Sequence, residues 1–231
     1  MKIFDEIETI TYLIKNKCSI ARYGDGELKL CTGRSAKSQS FNEGISSRLR
    51  QILLSNDTKC LVGIPRIYNR ADWPTVEKGR FWGRYSGVRY SGLYNSKKRY
   101  GSAFITRPDT NRAIDCKCYF DLVKQLWVGR HVFLVQGADT NFDKTGTMFN
   151  AALSVKVLRG PAKDAYSDYP AILARLLEDT CADDIIVLAL GPTATIIAYE
   201  LSIAGRQALD LGHLGQFYSH VHPKDTGTQY D

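Results

Sequence analysis

The chain has 231 residues and a mass of 25.9 kDa, and 44% of its residues are hydrophobic. That length allows one sizeable core, so a single large α/β domain is the default expectation. Because the start is acidic and no apolar run approaches about 18 residues, the sequence predicts neither a secretory signal nor a membrane span. The six scattered cysteines favour reduced thiols in a cytoplasmic protein over a disulfide framework or a zinc site.

The net charge of +7 is unevenly distributed along the chain. Residues 66–107 contain ten Lys or Arg but only Asp72 and Glu77 as acids, interleaved with nine aromatic residues and many glycines. Such an irregular basic and aromatic segment suits a partner with phosphate and a flat face: a nucleotide, a sugar lipid or single-stranded nucleic acid. The alternative is a solvated loop with a few aromatics tucked into the core.

In chain order, the first predicted elements are an amphipathic helix with one apolar face from Phe4 to Ile14 and a short strand over 18–22. A polar stretch, Thr32 to Ser40, separates them from a helix over 42–54 and an apolar strand over 60–64. Later elements follow from the same patterns: strands over 102–105, 131–136, 155–158, 185–190 and 208–211, and helices over 109–127, 170–178 and 193–204.

Strands that alternate with helices predict an α/β fold with a mostly parallel sheet and helices on both faces. We expect one domain over 1–222, with the irregular basic and aromatic insertion at about 65–107 and a polar tail over 223–231. In such sheets the ligand binds at the carboxyl ends of the strands, where loops from different units meet.

The segment Arg22-Tyr-Gly-Asp-Gly-Glu27 stands where the first predicted strand ends. Asp25 and Glu27 are separated only by Gly26 and preceded by Gly24, so both carboxylates can face one small volume. Oxygen ligands of this kind suit Mg²⁺ or Mn²⁺ held against a diphosphate. The alternative is that Gly-Asp-Gly forms a turn and Glu27 begins the next helix as an N-terminal acid.

A second segment, Gly191-Pro-Thr-Ala-Thr195, joins a buried strand to a helix. Proline fits the first helical turn, and Thr193 and Thr195 place hydroxyls beside the free N–H groups of a helix N-terminus. That arrangement predicts an anion site for the phosphates or ribose of a nucleotide. The alternative is that Thr193 merely caps the helix.

Taken together, Arg22–Glu27, Leu190–Ser202 and Ala208–His213 resemble the GT-D type glycosyltransferases. Val62–Pro65 and Thr106–Pro108 are also similar. The resemblance implies a bacterial, metal-dependent enzyme with a Rossmann-like fold, a nucleotide-sugar donor and an Asp-X-Glu motif. This sequence departs from the family's pattern in the middle of the chain and after His213.

The resemblance implies roles for particular residues of this sequence. Asp25 and Glu27 match the Asp-X-Glu pair, which implies binding of Mn²⁺ or Mg²⁺ and of the donor diphosphate. The other implied donor-binding residues are Arg22, Gly24, Gly26, Arg107, Gly191, Thr193 and Thr195. Asp210, Gly212 and His213 match a second family segment, and a general base remains open among Asp139, Asp210 and His213.

The resulting hypothesis is a glycosyltransferase that moves a sugar from a nucleoside-diphosphate sugar, with a UDP-sugar as the leading expectation. Its acceptor would be a hydroxyl of a glycan or glycolipid in cell-surface polysaccharide or glycoprotein glycan synthesis, contacted by Arg66, Trp73, Trp82 and Tyr85. We expect a cytoplasmic protein, peripheral to the inner membrane face through its acceptor, with no nucleic acid partner and an open oligomeric state. Two rivals are a nucleic-acid-binding protein that uses 66–107 and a metal-dependent phosphohydrolase.

Overall fold

The computed structural model describes residues 2–65, 90–111 and 113–223. Eight strands in these ranges form one sheet, and every neighbouring pair is parallel. The strands are β1 (Lys2–Ile3), β2 (Ser19–Arg22), β3 (Cys60–Ile64), β4 (Arg99–Ser102), β5 (His131–Gly137), β6 (Ser154–Gly160), β7 (Ile185–Ala189) and β8 (Gln207–Asp210). Their order across the sheet is β1-β4-β3-β2-β8-β7-β5-β6.

Seven α-helices within the described ranges connect these strands. They are α1 (Glu6–Asn16), α2 (Asp25–Cys31), α3 (Glu43–Leu54), α4 (Cys116–Lys124), α5 (Tyr169–Asp179), α6 (Pro192–Ile203) and α7 (Leu214–Val221). Short 3₁₀ turns add Ser91–Leu93, Ala103–Thr106, Pro108–Thr110 and Ala165–Ser167. None of the helices described is long and apolar enough to cross a bilayer.

Both faces of the sheet are covered, because strand side chains alternate between two sets of core contacts. On β7, Ile185 and Val187 join the hydrophobic cluster formed with α1, α4 and α7, whereas Ile186 and Leu188 join the cluster formed with α5 and α6. On β2, Ile20 and Ala21 divide in the same way. The expected parallel α/β sheet with helices on both faces is therefore confirmed.

A crevice is expected between β2 and β8, because the chain leaves these neighbouring strands toward opposite faces. After β2 it enters α2, whose Leu28 and Leu30 pack in the cluster with α3. After β8 it enters α7, whose Leu214 and Tyr218 pack in the cluster on the other face. Loops that diverge in this way open a ligand crevice at the carboxyl ends of the strands.

Two predicted elements differ from the structure. The strand expected over 102–105 ends at Ser102, and Ala103–Thr106 forms a 3₁₀ turn because the Ser102 hydroxyl accepts the N–H of Phe104. The helix expected over 109–127 is shorter: Asp115 caps the N–H of Cys118 and starts α4 at Cys116. The predicted elements do not include β1 and α7, which have only two and eight residues, whereas α2 corresponds to the alternative in which Glu27 begins a helix.

The predicted basic and aromatic insertion is described only over 90–107. This part includes β4, which pairs with β1 and β3, so it belongs to the sheet. Tyr100 and Phe104 are buried in the core rather than available to a partner. The predicted acceptor residues Arg66, Trp73, Trp82 and Tyr85, and the tail from 224, lie outside the described residues.

Candidate functional site

A buried ion pair forms the floor of the crevice between β2 and β8. The Arg22 guanidinium donates to Asp210 Oδ1 at 3.2 Å, to the Asp210 carbonyl at 2.6 Å and to the Ala103 carbonyl at 3.0 Å. The two side chains are 12% and 5% exposed. Because three acceptors hold it, the Arg22 guanidinium serves first to fix three strand ends together.

Asp210 is held from every side. Its Oδ2 accepts the Arg22 backbone N–H at 3.3 Å and lies 3.0 Å from the Thr195 hydroxyl, which is also 2.9 Å from the Arg22 carbonyl. Gly212 has φ of +42°, and a Cβ there would come within 2.3 Å of Arg22 Nη2. Because Gly212 has no side chain, its backbone can lie close to the Arg22 guanidinium, which a larger residue would displace.

Asp25 and Glu27 occupy the first turn of α2, and each has a local partner. Glu27 forms one half of a capping box: its Oε2 accepts the Gly24 N–H at 2.6 Å, and Gly24 has no side chain to return the bond. Asp25 pairs with Lys29 one turn on at 2.8 Å, with 47% of its side chain exposed. The helix-start interpretation of the motif therefore holds locally, and the exposed Asp25 carboxylate remains open to solvent at the crevice.

The beginning of α2 packs on the turn that begins α6. A Cβ built at Gly26 would lie 3.6 Å from Pro192 Cγ and 3.4 Å from Ala36 Cβ, so the two segments are in van der Waals range. Gly191 has φ of +57° and is solvent-exposed. The N-terminus of α6 and the first turn of α2, which carries both acids, are therefore neighbours, although 166 positions separate Asp25 from Gly191 in the sequence.

The hydroxyls of Thr193 and Thr195 do not face that crevice. Both residues are fully buried: Thr193 donates to Gln39 Oε1 at 3.4 Å, and Thr195 lies against Asp210. These hydroxyls position the turn and the ion pair, so anion contacts at this helix start are left to backbone N–H groups.

Gln39 is a site residue that the sequence analysis missed. It is 5% exposed, and its Oε1 accepts the N–H of Tyr166 and the Thr193 hydroxyl, while its Nε2 lies 3.3 Å from Asp164 Oδ1. Ser38 Oγ lies 2.8 Å from where a Gly191 Cβ would be. The polar segment 32–41 therefore forms a wall beside Gly191, and a single glutamine in a polar stretch gave no signal of this.

His213 and Arg107 lie at the rim of the crevice. Desolvation, and then the charge of Arg22, lower the pKa of His213, with Arg107 acting in the same sense and Asp210 and Asp25 opposing. Four of the residues predicted for the site therefore act on the pKa of His213. Arg107 is bound by Asp109 in two hydrogen bonds, at 3.0 and 3.1 Å, and lies over the Phe217 ring at 4.4 Å.

The carboxyl groups of Glu27 and Asp210 both have raised pKa values. Burial, and secondly the charge of Asp210, raise the pKa of Glu27 from 4.5 to about 7. Burial also raises the pKa of Asp210, opposed by Arg22 and by the Thr195 hydroxyl. Because the charge of Asp210 disfavours ionisation of Glu27, added positive charge near Glu27 would favour its carboxylate.

A pH dependence of stability follows from the raised pKa of Glu27. With chelator present, the free energy of unfolding should fall as pH rises from about 4.5 to 7, because the folded state keeps a proton that the unfolded chain releases. Glu27→Gln cannot titrate and should remove part of this slope, leaving the share due to Asp210. Urea denaturation across that pH range measures both proteins, and equal slopes would contradict the expectation.

The residues present fit a hard divalent cation that takes only part of its ligands from the protein. No group of three or more His, Cys, Asp or Glu among residues 2–65, 90–111 and 113–223 is arranged to hold a metal alone. Mg²⁺ and Mn²⁺ sites at phosphates commonly take one or two carboxylates, with water and phosphate oxygens supplying the rest. Asp25 and Glu27 at the crevice match that smaller protein contribution.

Comparisons with known proteins agree with this geometry. A family model described as "Glycosyltransferase GT-D fold" matches residues 20–224. "Glycosyltransferase GlyD" of Streptococcus pneumoniae serotype 4 is 30% identical over 217 residues, and "Probable glycosyl transferase Gly" of Streptococcus gordonii is 29% identical over 217 residues. Each match covers 91% of this chain, which spans only 26% and 32% of those two proteins respectively.

Two solved structures are similar over almost the whole chain. One, described as "The highly conserved domain of unknown function 1792 has a distinct glycosyltransferase fold", is 34% identical with a TM-score of 0.85. The match covers 99% of this chain and 85% of that one. "A New Glycosyltransferase (DUF1792) from Streptococcus sanguinis" is 27% identical with a TM-score of 0.85, covering 100% and 88% of the respective chains.

Proposed function

This chain belongs to the glycosyltransferase GT-D family, and from that premise we propose that it transfers a sugar from a nucleoside-diphosphate sugar to an acceptor hydroxyl. The observation that carries the proposal is the contact of Gly26, which lies between the two α2 acids, with Pro192, next to the exposed Gly191. A diphosphate in the crevice between β2 and β8 meets carboxylates able to share a cation on one side and a helix N-terminus on the other.

Asp25 and Glu27 are the residues that would hold Mn²⁺ or Mg²⁺. A divalent cation there would supply positive charge to balance the negative charge that develops on the departing diphosphate. The N-terminus of α6 favours the same charge through its dipole. Arg107, fixed by Asp109 and Phe217, adds a guanidinium at the rim.

Among the candidate bases, His213 is the best placed. Its neutral imidazole is exposed at the crevice rim, where an acceptor hydroxyl can reach it. Asp210 is committed to Arg22 and Thr195 and is 3% exposed, so we assign it a positioning role. Asp139 follows β5, two strands away from β8, and is set apart from the crevice floor.

We also propose the finer identities that the family leaves open. A UDP-sugar is the leading donor, and a glycan or glycolipid in cell-surface polysaccharide or glycoprotein glycan synthesis is the leading acceptor. The place of action is the cytoplasm, with membrane contact only through the acceptor. The proposal concerns this chain and not the whole activity or the partners of the longer relatives, of whose length the chain spans about a third or less.

A panel of UDP-, GDP- and TDP-sugars tests the proposal. The protein is incubated with each donor in Mn²⁺, Mg²⁺ or chelator, with and without glycan acceptors, and nucleoside diphosphate, free phosphate and sugar product are measured. We expect one donor class to release nucleoside diphosphate in a metal-dependent reaction and to raise the melting temperature. Phosphate release would instead indicate a hydrolase, and binding of oligonucleotides without any donor would indicate the nucleic-acid protein.

A further inference from the structure

Basic residues precede the amino ends of three neighbouring strands, on the side of the sheet opposite the crevice. Lys59 immediately precedes β3, Arg206 immediately precedes β8, and Lys17 precedes β2 by two residues. These three strands are neighbours, in the order β3-β2-β8. Since neighbouring strands are about 4.8 Å apart, the three residues follow one another along this side of the sheet.

These cations line an open cleft of about 450 Å³. Its walls come from the end of α1, the end of α6 and the loops that enter β2, β3, β5 and β8, including Tyr12, Ser19 and Gln207. The Ser19 N–H donates to the Lys59 carbonyl at 2.8 Å, and Gln207 Nε2 donates to the Cys18 carbonyl at 3.1 Å. Backbone and side-chain hydrogen bonds therefore fix the cleft's inner surface.

The Arg130 guanidinium binds uncharged acceptors at the wall of the cleft, so none of its hydrogen bonds neutralises its charge. Its Nε and Nη2 donate to the carbonyls of Asp183 and Asp184 at 2.9 and 2.7 Å, and its Nη1 donates to Gln207. By contrast, the amines of Lys17 and Lys59 make no hydrogen bond or ion pair with the residues that the structure describes. Arg206 donates through Nε to the Thr180 carbonyl at 3.0 Å, and its Nη atoms have no hydrogen bond within the described part of the chain.

The cleft has a clear excess of positive charge. Lys17, Lys59, Arg130 and Arg206 line it against one acid, Asp183. Helices α1 and α6 both end here, and each helix C-terminus offsets about half a positive charge. The two helix ends and Asp183 together balance about two of the four cations, so a net attraction for anions remains.

We propose that this cleft is a second binding site, which takes a ligand bearing two linked phosphoryl groups. A diphosphate can contact the three adjacent cations of Lys59, Lys17 and Arg206, whereas a single phosphate reaches fewer of them. The Tyr12 ring at one wall provides a flat, partly exposed surface for the group that carries the diphosphate. The site lies at the opposite sheet edge from Asp25 and Glu27 and does not depend on the proposed function.

Titration calorimetry with inorganic pyrophosphate in chelator tests this site on the full chain. The Asp25→Asn/Glu27→Gln variant serves as the background, so that the crevice contributes no metal-dependent heat. We expect one binding event, which Lys17→Gln/Lys59→Gln weakens at least tenfold. Lys117→Gln/Lys144→Gln removes the same charge from exposed positions outside the cleft and should leave the affinity within about twofold.

Two further arms separate the sources of such a ligand. A free nucleoside diphosphate is titrated in the same way, and co-sedimentation is measured with phosphatidylcholine vesicles that carry or lack a lipid diphosphate. Binding lost in Lys17→Gln/Lys59→Gln in either arm supports the site and names its source. Equal pyrophosphate affinity in all variants, or no binding in the background protein, would overturn the proposal. It would also be overturned if Lys17→Gln/Lys59→Gln lowered the melting temperature without weakening pyrophosphate binding, because the cations would then only balance the helix ends.

Discussion

Asp25→Asn and Glu27→Gln should each abolish metal-dependent binding of a nucleoside diphosphate, lowering its affinity by at least about 100-fold. Each substitution keeps the size of the side chain and removes one carboxylate charge from the pair that borders the crevice. Because no third carboxylate, His or Cys among the described residues completes a metal site there, the loss of one leaves a cation held by a single carboxylate, phosphate and water. Calorimetric titration of the diphosphate with Mn²⁺ and with chelator measures the effect.

The chain supplies a matched control for Glu27. Glu8 occupies the equivalent position of the capping box in α1, where its carboxylate accepts the Asp5 N–H at 3.0 Å. Glu8→Gln and Glu27→Gln therefore disturb the same type of cap, at a cost of about 1 kcal/mol or less each. Only Glu27→Gln should lose metal-dependent binding, since α1 follows β1, three strands away from β2 in the sheet.

For Asp25 the corresponding control is Lys29, its ion-pair partner. Lys29→Gln breaks the same half-exposed pair but leaves the carboxylate in place, so diphosphate binding should be retained. If Asp25→Asn and Lys29→Gln weakened binding equally, the ion pair rather than the carboxylate would be responsible. Wild-type affinity in either Asp25→Asn or Glu27→Gln would remove the basis of the proposed cation site.

The buried strands were predictable because their sequences leave little choice. Continuous apolar runs such as Val132–Val135 within β5 and Ile185–Ala189 are typical of parallel strands covered on both faces. The two motif segments were also predictable, because a glycine-flanked acid pair and a Gly-Pro turn mark strand ends in any sheet of this class. Their meeting at one crevice then followed from the parallel arrangement.

The sequence could not reveal which polar groups the fold would use internally. Thr195 and Thr193 lie at a helix start, where the pattern fits either ligand contact or capping, and tertiary packing directs their hydroxyls to Asp210 and Gln39. Conversely, Gln39 lies in a polar stretch with no periodicity, and its role depends on partners more than 120 positions away. Contacts of such long range are set by topology, which local patterns do not encode.

Arg22→Met should destabilise the fold by about 3–5 kcal/mol, because it leaves the buried Asp210 carboxylate without its charged partner. Methionine fills much of the same volume, so the loss reflects charge and hydrogen bonding more than a cavity. Urea denaturation at neutral pH measures the change. The effect should shrink as pH falls, because the unpaired Asp210 takes up a proton more readily in the folded state than in the unfolded chain.

Arg48→Met is the matched control, since Arg48 pairs with Glu200 at 2.6 Å while the two side chains are 32% and 20% exposed. A pair with that much solvent contact contributes about 1 kcal/mol or less. The combined Arg22→Met/Asp210→Leu variant removes both charges and should regain a large part of the lost stability. If Arg22→Met cost no more than Arg48→Met, or if the double variant were no more stable than the single one, then Arg22 and Asp210 would not be the coupled pair that anchors β2 to β8.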